Sequence, residues 1–306
     1  MSILAVFPGQ GSQKIGMGAD IYEKFACARE VFHEVDDAIS YKLSDLIFNG
    51  NEEELKQTQN AQPAIMTVSM AFVQVLKLEF GIDISDKASF FAGHSLGEYS
   101  ALCATGVISL SDTARILRIR GTAMSEACPN EGAMAAIIGL NISAVESITK
   151  KINADNAVVQ IGNDNSPRQI IVSGHKSAVE QAMALAQEAG AKRTIKLEVS
   201  GPFHSVLMEK AIEPLKDVLE SVEFKNPIKP IITNVTAKAE NNNLKSLLIE
   251  QLTSRVRWTE TILFAKDNGV TKCVEIGPGR VLTGLIKQIT NDIETVNVNS
   301  AESLSL

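Results

Sequence analysis

The chain has 306 residues, 45% of them hydrophobic and 21% charged, with a net charge of −7. Such a length suits one large domain, or a large domain with a small one inserted, and the apolar fraction is ample for a core. The acidic balance argues against a general nucleic-acid role, and no apolar run is read as approaching a membrane span.

Four cysteines, Cys27, Cys103, Cys128 and Cys273, stand far apart without a C-x-x-C pair and read as reduced, mostly buried thiols of a cytoplasmic protein. Four histidines, His33, His94, His175 and His204, show no metal-ligand spacing, so no metal is expected. The N-terminus lacks a basic region, and Ile3 to Phe7 is too short for a signal peptide.

Ile3 to Phe7 is a continuous apolar run, the pattern of a strand buried on both faces. Pro8-Gly9-Gln10-Gly11-Ser12-Gln13 breaks it, and a helix is expected from about Met17. Gly9-Gln10-Gly11 after a first strand invites a dinucleotide loop, but Lys14 occupies the third glycine's place and Asp36-Asp37 falls in a helical pattern. The loop reads better as bare backbone approaching a ligand, with the Gln10 N–H as a donor. Glu52 to Lys56 reads as a short exposed helix. Gln62-Pro63 opens a long helix over Ala64 to Phe80, apolar almost all round and closed by Gly81.

Gly93-His94-Ser95-Leu96-Gly97 is a G-x-S-x-G sequence between an apolar run, Phe90-Phe91-Ala92, and a helix. That is the setting of a nucleophile elbow, a sharp turn that lifts the serine oxygen clear of the sheet and leaves the Leu96 N–H facing the substrate. The same residues also fit a plain helix-capping serine between turn glycines. Ser109 caps the next helix with Asp112 as capping-box partner. Its apolar stripe of Ile116, Leu117, Ala123, Met124 and Ala127 includes Arg120 but not Arg115 or Arg118. A charge on such a stripe needs either an internal salt bridge or a ligand.

From Cys128 the texture changes. Strands at 133–138, 158–161, 169–172 and 192–199, with helices at 144–152 and 176–189, give a βαββαβ order. Asn163 to Pro167 is read as the turn between the middle strands. The expected fold class is therefore α/β, with a catalytic domain of residues 1–127 and 199–306 and a ferredoxin-like insertion of residues 128–198. The chain returns with Ser200-Gly201-Pro202-Phe203-His204-Ser205, a helix over Val206 to Val222, a strand over Ile228 to Thr233 and a helix over Leu244 to Leu252. A strand at Cys273 to Ile276 ends in Gly277-Pro278-Gly279, the last helix spans Val281 to Ile289, and the tail after Ala301 is expected to fray.

A serine at an elbow needs a base. His94 adjoins Ser95 but points away if Ser95 occupies the apex, and His33 and His175 lack Gly/Pro punctuation. His204 fits best, although a capping or surface histidine has the same pattern. No acid follows at a strand end, since Asp112, Asp155 and Asp164 all have structural readings; a backbone carbonyl then orients the imidazole. Phe203, beside His204, would crowd a branched acyl group.

Phe7 to Gln13, Gly93 to Tyr99, Arg120-Gly121, Gly201 to Ser205 and Glu275 to Gly279 occur in this order, and together they resemble the malonyl-CoA:acyl-carrier-protein transacylases of bacterial fatty-acid synthesis. The resemblance covers essentially the whole chain. It implies an α/β-hydrolase-like large domain with the ferredoxin-like insertion, Ser95 as nucleophile, His204 as base, and the N–H groups of Gln10 and Leu96 as oxyanion donors. Arg120 would hold the malonyl carboxylate, Gln62 and Asn163 would line the cleft, and the main-chain carbonyl of Gln251 would orient the histidine. Arg255 stands where the family usually has proline, which bears on the loop after Gln251. The implied partners are malonyl-CoA and phosphopantetheinylated acyl carrier protein, with no cofactor, no nucleic acid and no membrane, for a monomer. Arg115, Arg118, Arg255, Arg257 and Lys287 are candidates for a basic docking patch. A serine esterase, a polyketide acyltransferase and a silent carrier-binding module are the rival readings.

Overall fold

A computed structural model describes residues 2–153 and 158–304; Asp155 lies outside the described residues. Strand β1 (Ser2–Phe7) is the apolar run at the start of the chain. Leu4, Ala5, Val6 and Phe7 are fully buried because alternate residues serve opposite cores. Ala5 and Phe7 join the larger core, and Leu4 and Val6 join the smaller one on the other face.

Helices α1 (Ala19–Lys24), α2 (Ala26–Ile39), α3 (Leu43–Asn49) and α4 (Glu52–Lys56) follow, the last capped by the Asn51 side chain accepting from the Glu54 N–H. Helix α5 (Thr58–Phe80) begins a full turn earlier than the Gln62-Pro63 signal implied, so Pro63 lies inside it. Proline cannot bond the carbonyl four residues back. That carbonyl, of Gln59, instead accepts from Arg118 Nη1 at 3.1 Å, so the helix continues. By length and composition α5 could span a membrane, contrary to the expectation for this chain, but two thirds of its apolar window is buried in the protein.

Helix α6 (Ile84–Lys87) leads to β2 (Phe90–Gly93), α7 (Leu96–Ala104) and α8 (Leu110–Glu126), whose Ser109 cap accepts from the Asp112 N–H. Strand β3 (Gly132–Ile138), α9 (Ile142–Asn153), β4 (Val159–Ser166), β5 (Gln169–His175), α10 (Lys176–Glu188) and β6 (Arg193–Lys196) come next. They form an antiparallel sheet in the order β4-β5-β3-β6. Asn163 to Ser166, read from sequence as a turn, belong to β4. The strand continues through two irregularities and the turn falls at Pro167-Arg168. Polar residues remain in a strand here because β4 also bridges Val256 at Asn163. Strand β6 is shorter than the 192–199 run. Ala133, Ala135 and Ile137 of β3 pack on α9 and α10, whereas Met134 and Ala136 turn to the main core.

A 3-10 segment (Val206–Ala211) precedes α11 (Ile212–Glu220), so the expected single helix is two pieces. Strand β7 (Ile231–Ile232) retains only two residues of the expected strand and pairs with β8 (Ala239–Glu240). Helix α12 (Leu244–Gln251) is followed by α13 (Trp258–Asp267), β9 (Val270–Ile276), α14 (Val281–Ile289) and β10 (Glu294–Val298). Where fraying was expected after Ala301, Ala301–Leu304 forms a 3-10 turn with Leu304 buried.

The large sheet runs β10-β9-β1-β2-β7-β8, parallel throughout except for the β7–β8 pair. In open parallel sheets the strands' carboxyl ends carry ligand sites. Here those ends of β1, β2, β7 and β9 deliver the Gln10 loop, Ser95, Asn234 and the Gly277-Pro278-Gly279 turn.

Candidate active site

Ser95 stands between β2 and α7 with φ 53° and ψ −109°, a conformation costing a non-glycine residue about 1–3 kcal/mol. The surroundings force it. A Cβ on Gly93 would lie 1.9 Å from the Gly97 carbonyl carbon, and one on Gly97 would lie 2.2 Å from the Phe7 carbonyl oxygen. Both glycines are therefore required by close backbone approach, and the turn has one place to put the serine oxygen.

His204 also has a positive φ, 58°, and is 3% exposed. Its Nε2 lies 2.8 Å from Ser95 Oγ and its Nδ1 lies 2.8 Å from the Gln251 carbonyl oxygen. A carbonyl only accepts, so Nδ1 carries the proton and Nε2 is free to accept from the serine hydroxyl. Burial, and then the positive charge of Arg120, push the His204 pKa down to about 3, so the imidazole rests neutral. Neither Asp112 nor Asp164 contacts it. Asp112 pairs with Ser109 and Arg115, and Asp164 accepts from Thr259.

Arg120 is 1% exposed and has no carboxylate within 4 Å among the described residues, so the internal salt bridge is not formed. Its Nη1 donates to Gln62 Oε1 at 2.6 Å, and its Nη2 donates to Gln251 Oε1 at 2.9 Å and Ser95 Oγ at 3.1 Å. The guanidinium lies over the Tyr99 ring at 5.3 Å, and its Nε–H has no partner among the described residues. Burial lowers its pKa, but a guanidinium remains charged at neutral pH.

Ser95, His204, Gln10, Leu96, Gln62, Asn163 and Phe203 line one cleft of about 440 Å³, within the usual range for a small-molecule site. It lies between the two sheets, with Met134 and Ala136 of β3 on one wall and Leu282 and Leu285 of α14 on another. The N–H groups of Gln10 and Leu96 have no acceptor among the described residues. His94 is turned aside, its Nε2 2.8 Å from Asn165 Oδ1.

Arg255 forms ion pairs with Glu146 at 3.1 Å and Glu260 at 3.4 Å, and Val256 bridges β4. These contacts anchor the loop after Gln251 without a proline, and its carbonyl still reaches His204. They also bear on the candidate docking residues. Arg115, Arg255 and Arg257 are paired with acids, and Arg118 is held by Gln59 and Asn60. Of the five candidates, Arg118 and Lys287 have no acidic partner among the described residues, and Lys287 alone also lacks a side-chain hydrogen bond.

Two residues were missed. Asn234 Oδ1 accepts from the Ser95 N–H at 2.8 Å while its Nδ2 donates to the Gly93 carbonyl at 2.7 Å, pinning both sides of the elbow. Glu98 Oε2 accepts from the Asn234 N–H at 2.9 Å and Gln251 Nε2 at 2.8 Å. The signals were a carboxylate on an otherwise apolar helix one turn past Ser95, and an asparagine at the end of a strand beside β2.

A neutral histidine 2.8 Å from a strained serine, with a buried cation 3.1 Å from the same oxygen, is an arrangement suited to acyl transfer, on an α/β scaffold. Residues 5–304 match the model of the acyl transferase domain family. The chain is 48% identical to malonyl CoA-acyl carrier protein transacylase of Bacillus subtilis (strain 168), covering 99% of this chain and 95% of that one. It is 42% identical to the Haemophilus influenzae transacylase of the same name, covering 98% and 96%. The acyl-carrier-protein-S-malonyltransferase structure from Bartonella henselae superposes with a TM-score of 0.97 at 50% identity, covering 99% of this chain and 97% of that one. The malonyl-transacylase in a complex with its type II PKS acyl-carrier protein superposes at 0.95 with 42% identity, covering 99% and 98%. The chain belongs to the acyl transferase family and, within it, to the malonyl CoA-acyl carrier protein transacylases. It is an acyltransferase enzyme.

Proposed function

We propose that the chain transfers malonyl from malonyl-CoA to the phosphopantetheine thiol of acyl carrier protein through a malonyl ester on Ser95, in a ping-pong sequence. The Ser95 hydroxyl gives its proton to His204 Nε2 as its oxygen attacks the thioester carbonyl. The oxyanion is held by the Gln10 and Leu96 N–H groups. The C–S bond breaks, and the CoA thiolate takes the proton from the imidazolium. The carrier thiol then attacks the ester by the reverse route, its proton passing through His204 to Ser95. A positioned base and an oxyanion hole are each worth factors of about 10² or more.

The observation that carries this reading is the Arg120 guanidinium 3.1 Å from Ser95 Oγ. A generic esterase has no use for a buried cation there, whereas an acyl group ending in a carboxylate does. The finer fold reading is an α/β-hydrolase-like domain interrupted at residues 128–198 by a ferredoxin-like unit. The strand order and antiparallel pairing of the second sheet support it. The carrier would approach α14, where Lys287 is exposed beside the cleft-lining Leu282 and Leu285.

The test is mass spectrometry after brief incubation with malonyl-CoA. A malonyl adduct on the peptide holding Ser95 is expected, and none in folded Ser95→Ala. An adduct persisting in Ser95→Ala would place the nucleophile elsewhere.

A further inference from the structure

We propose that Glu98 is a positioning residue of this site: it fixes which way round the Gln251 carboxamide sits, and through that amide aims the Arg120 guanidinium. The proposal rests on the malonyl-reading role given to Arg120 above.

Glu98 is 1% exposed and has no cation within 4 Å among the described residues. It is a buried acid without an ion pair, and such a group is costly unless hydrogen bonds hold it. Burial raises its pKa to about 7 against the opposing pull of the Asn234 N–H, the Gln251 amide and Arg120.

The logic is one of donors and acceptors. Glu98 Oε2 already accepts from the Asn234 N–H, so it remains an acceptor toward Gln251 even when the group carries its proton on Oε1, while a carboxamide has one accepting end and one donating end. Gln251 therefore faces Glu98 with its NH₂ group, at 2.8 Å, which leaves its Oε1 facing Arg120 Nη2 at 2.9 Å. The flipped amide would set oxygen against carboxylate and NH₂ against guanidinium, two repulsive contacts at once. Glu98 thus selects the orientation that holds Arg120. The same Gln251 gives its main-chain carbonyl to His204 Nδ1, and its Nε2 also reaches the Ser95 carbonyl at 3.2 Å. On the other side Glu98 holds the Asn234 N–H, and Asn234 holds the Ser95 N–H. One carboxylate therefore joins the elbow, the end of α12 and the specificity arginine.

The experiment compares kcat/KM for malonyl-CoA and acetyl-CoA in Glu98→Leu, Glu98→Gln, Gln251→Ala and the Glu98→Leu/Gln251→Ala double variant, each checked for folding by circular dichroism. Glu98→Gln can offer its Oε1 where Glu98 Oε2 now accepts both bonds, so its malonyl activity should stay within about threefold of wild type. Glu98→Leu removes the acceptor and should lower malonyl transfer about 10- to 100-fold, with the malonyl-to-acetyl ratio falling about tenfold. In the Gln251→Ala background, Glu98→Leu should lower that ratio no further, because its route to Arg120 is already cut. Where Glu98→Leu does not fold, Glu98→Asp serves. It keeps the charge but withdraws the acceptor by one methylene, and a fall in the ratio is again expected. Three results overturn the proposal: equal loss for both thioesters, equal loss in the Leu and Gln variants, or full additivity of the ratio losses in the double variant. Arg120→Ala is the control. If it leaves the ratio unchanged, the malonyl-reading role fails and the proposal falls with it. If it collapses the ratio while the Glu98 variants do not, only the proposal about Glu98 fails.

Discussion

Arg120→Ala separates a malonyl transferase from a generic serine acyltransferase. In the resting site three of the five guanidinium N–H groups have acceptors, on Gln62, Ser95 and Gln251. The Nε–H and the second Nη1 hydrogen have none among the described residues, so the guanidinium retains two uncommitted donors beside the cleft. Charge-assisted hydrogen bonds contribute about 1.5–3 kcal/mol each. Losing a pair should lower kcat/KM for malonyl-CoA by about two to four powers of ten. Acetyl-CoA has no carboxylate to lose. For it the arginine is a buried cation beside the nucleophile that also disfavours the imidazolium of His204. Acetyl transfer should therefore remain level or rise in Arg120→Ala. Arg120→Lys keeps a charge but not the planar fork, so it should recover only part of the malonyl rate. The assay is kcat/KM for both thioesters with wild type and both variants, after confirming that all are folded. If malonyl and acetyl transfer fall by the same factor, Arg120 is a structural residue and the specificity argument is refuted.

Three further outcomes follow from the same geometry. With a pKa near 3, the His204 imidazole should remain neutral at pH 5 in ¹³C-labelled NMR spectra, and malonate ion bound at Arg120 should raise that pKa by offsetting the nearby positive charge; half-protonation near pH 6.5 in the free enzyme would refute this. Glu98 has a folded pKa near 7 against an ordinary 4.5, so folding holds its proton and ionisation opposes folding as pH rises through that window. Glu98→Gln lacks this penalty, and the variant's stability relative to wild type should increase from pH 4.5 to above 7 by up to about 3 kcal/mol in urea titrations; a pH-independent difference would be inconsistent with the shift. Gly97→Ala would drive a Cβ to 2.2 Å from the Phe7 carbonyl, so it should lower the melting temperature by about 10 °C or more, or prevent folding; a variant as stable as wild type would show that the elbow has room to relax.

What the sequence disclosed and what it withheld divide along one physical line. Ser95, His204 and Arg120 each break a local pattern: a serine between close-approach glycines, a histidine after Gly201-Pro202, a cation on an apolar helix face. A residue that breaks its own pattern is visible without knowing its neighbours. The hydrogen-bonded partners are different, because their roles exist only across the fold. Gln251 is an ordinary glutamine at the end of an ordinary helix; the family resemblance named its carbonyl, but nothing local marks it as the group 2.8 Å from an imidazole 47 residues away. Asn234 follows a strand that contracts to two residues, and its partner Ser95 is 139 positions distant. Element boundaries failed for a related reason. Asn163 to Ser166 have turn-forming side chains, but β4 borrows pairing from Val256, and that long-range support outweighs local preference. Pro63 marks a helix start by propensity, yet Arg118 takes up the carbonyl that proline leaves unbonded, and α5 runs on through it. Gly121 of α8 has the same logic: a Cβ there would lie 2.6 Å from Gln59 Cα, so α8 meets the first turn of α5 backbone to backbone. That close approach brings Arg120 within reach of Gln62 on α5, and so positions the guanidinium over the elbow serine. The arginine was legible from its own helix; the reason it points at Ser95 is written in the glycine beside it and in a helix sixty residues earlier.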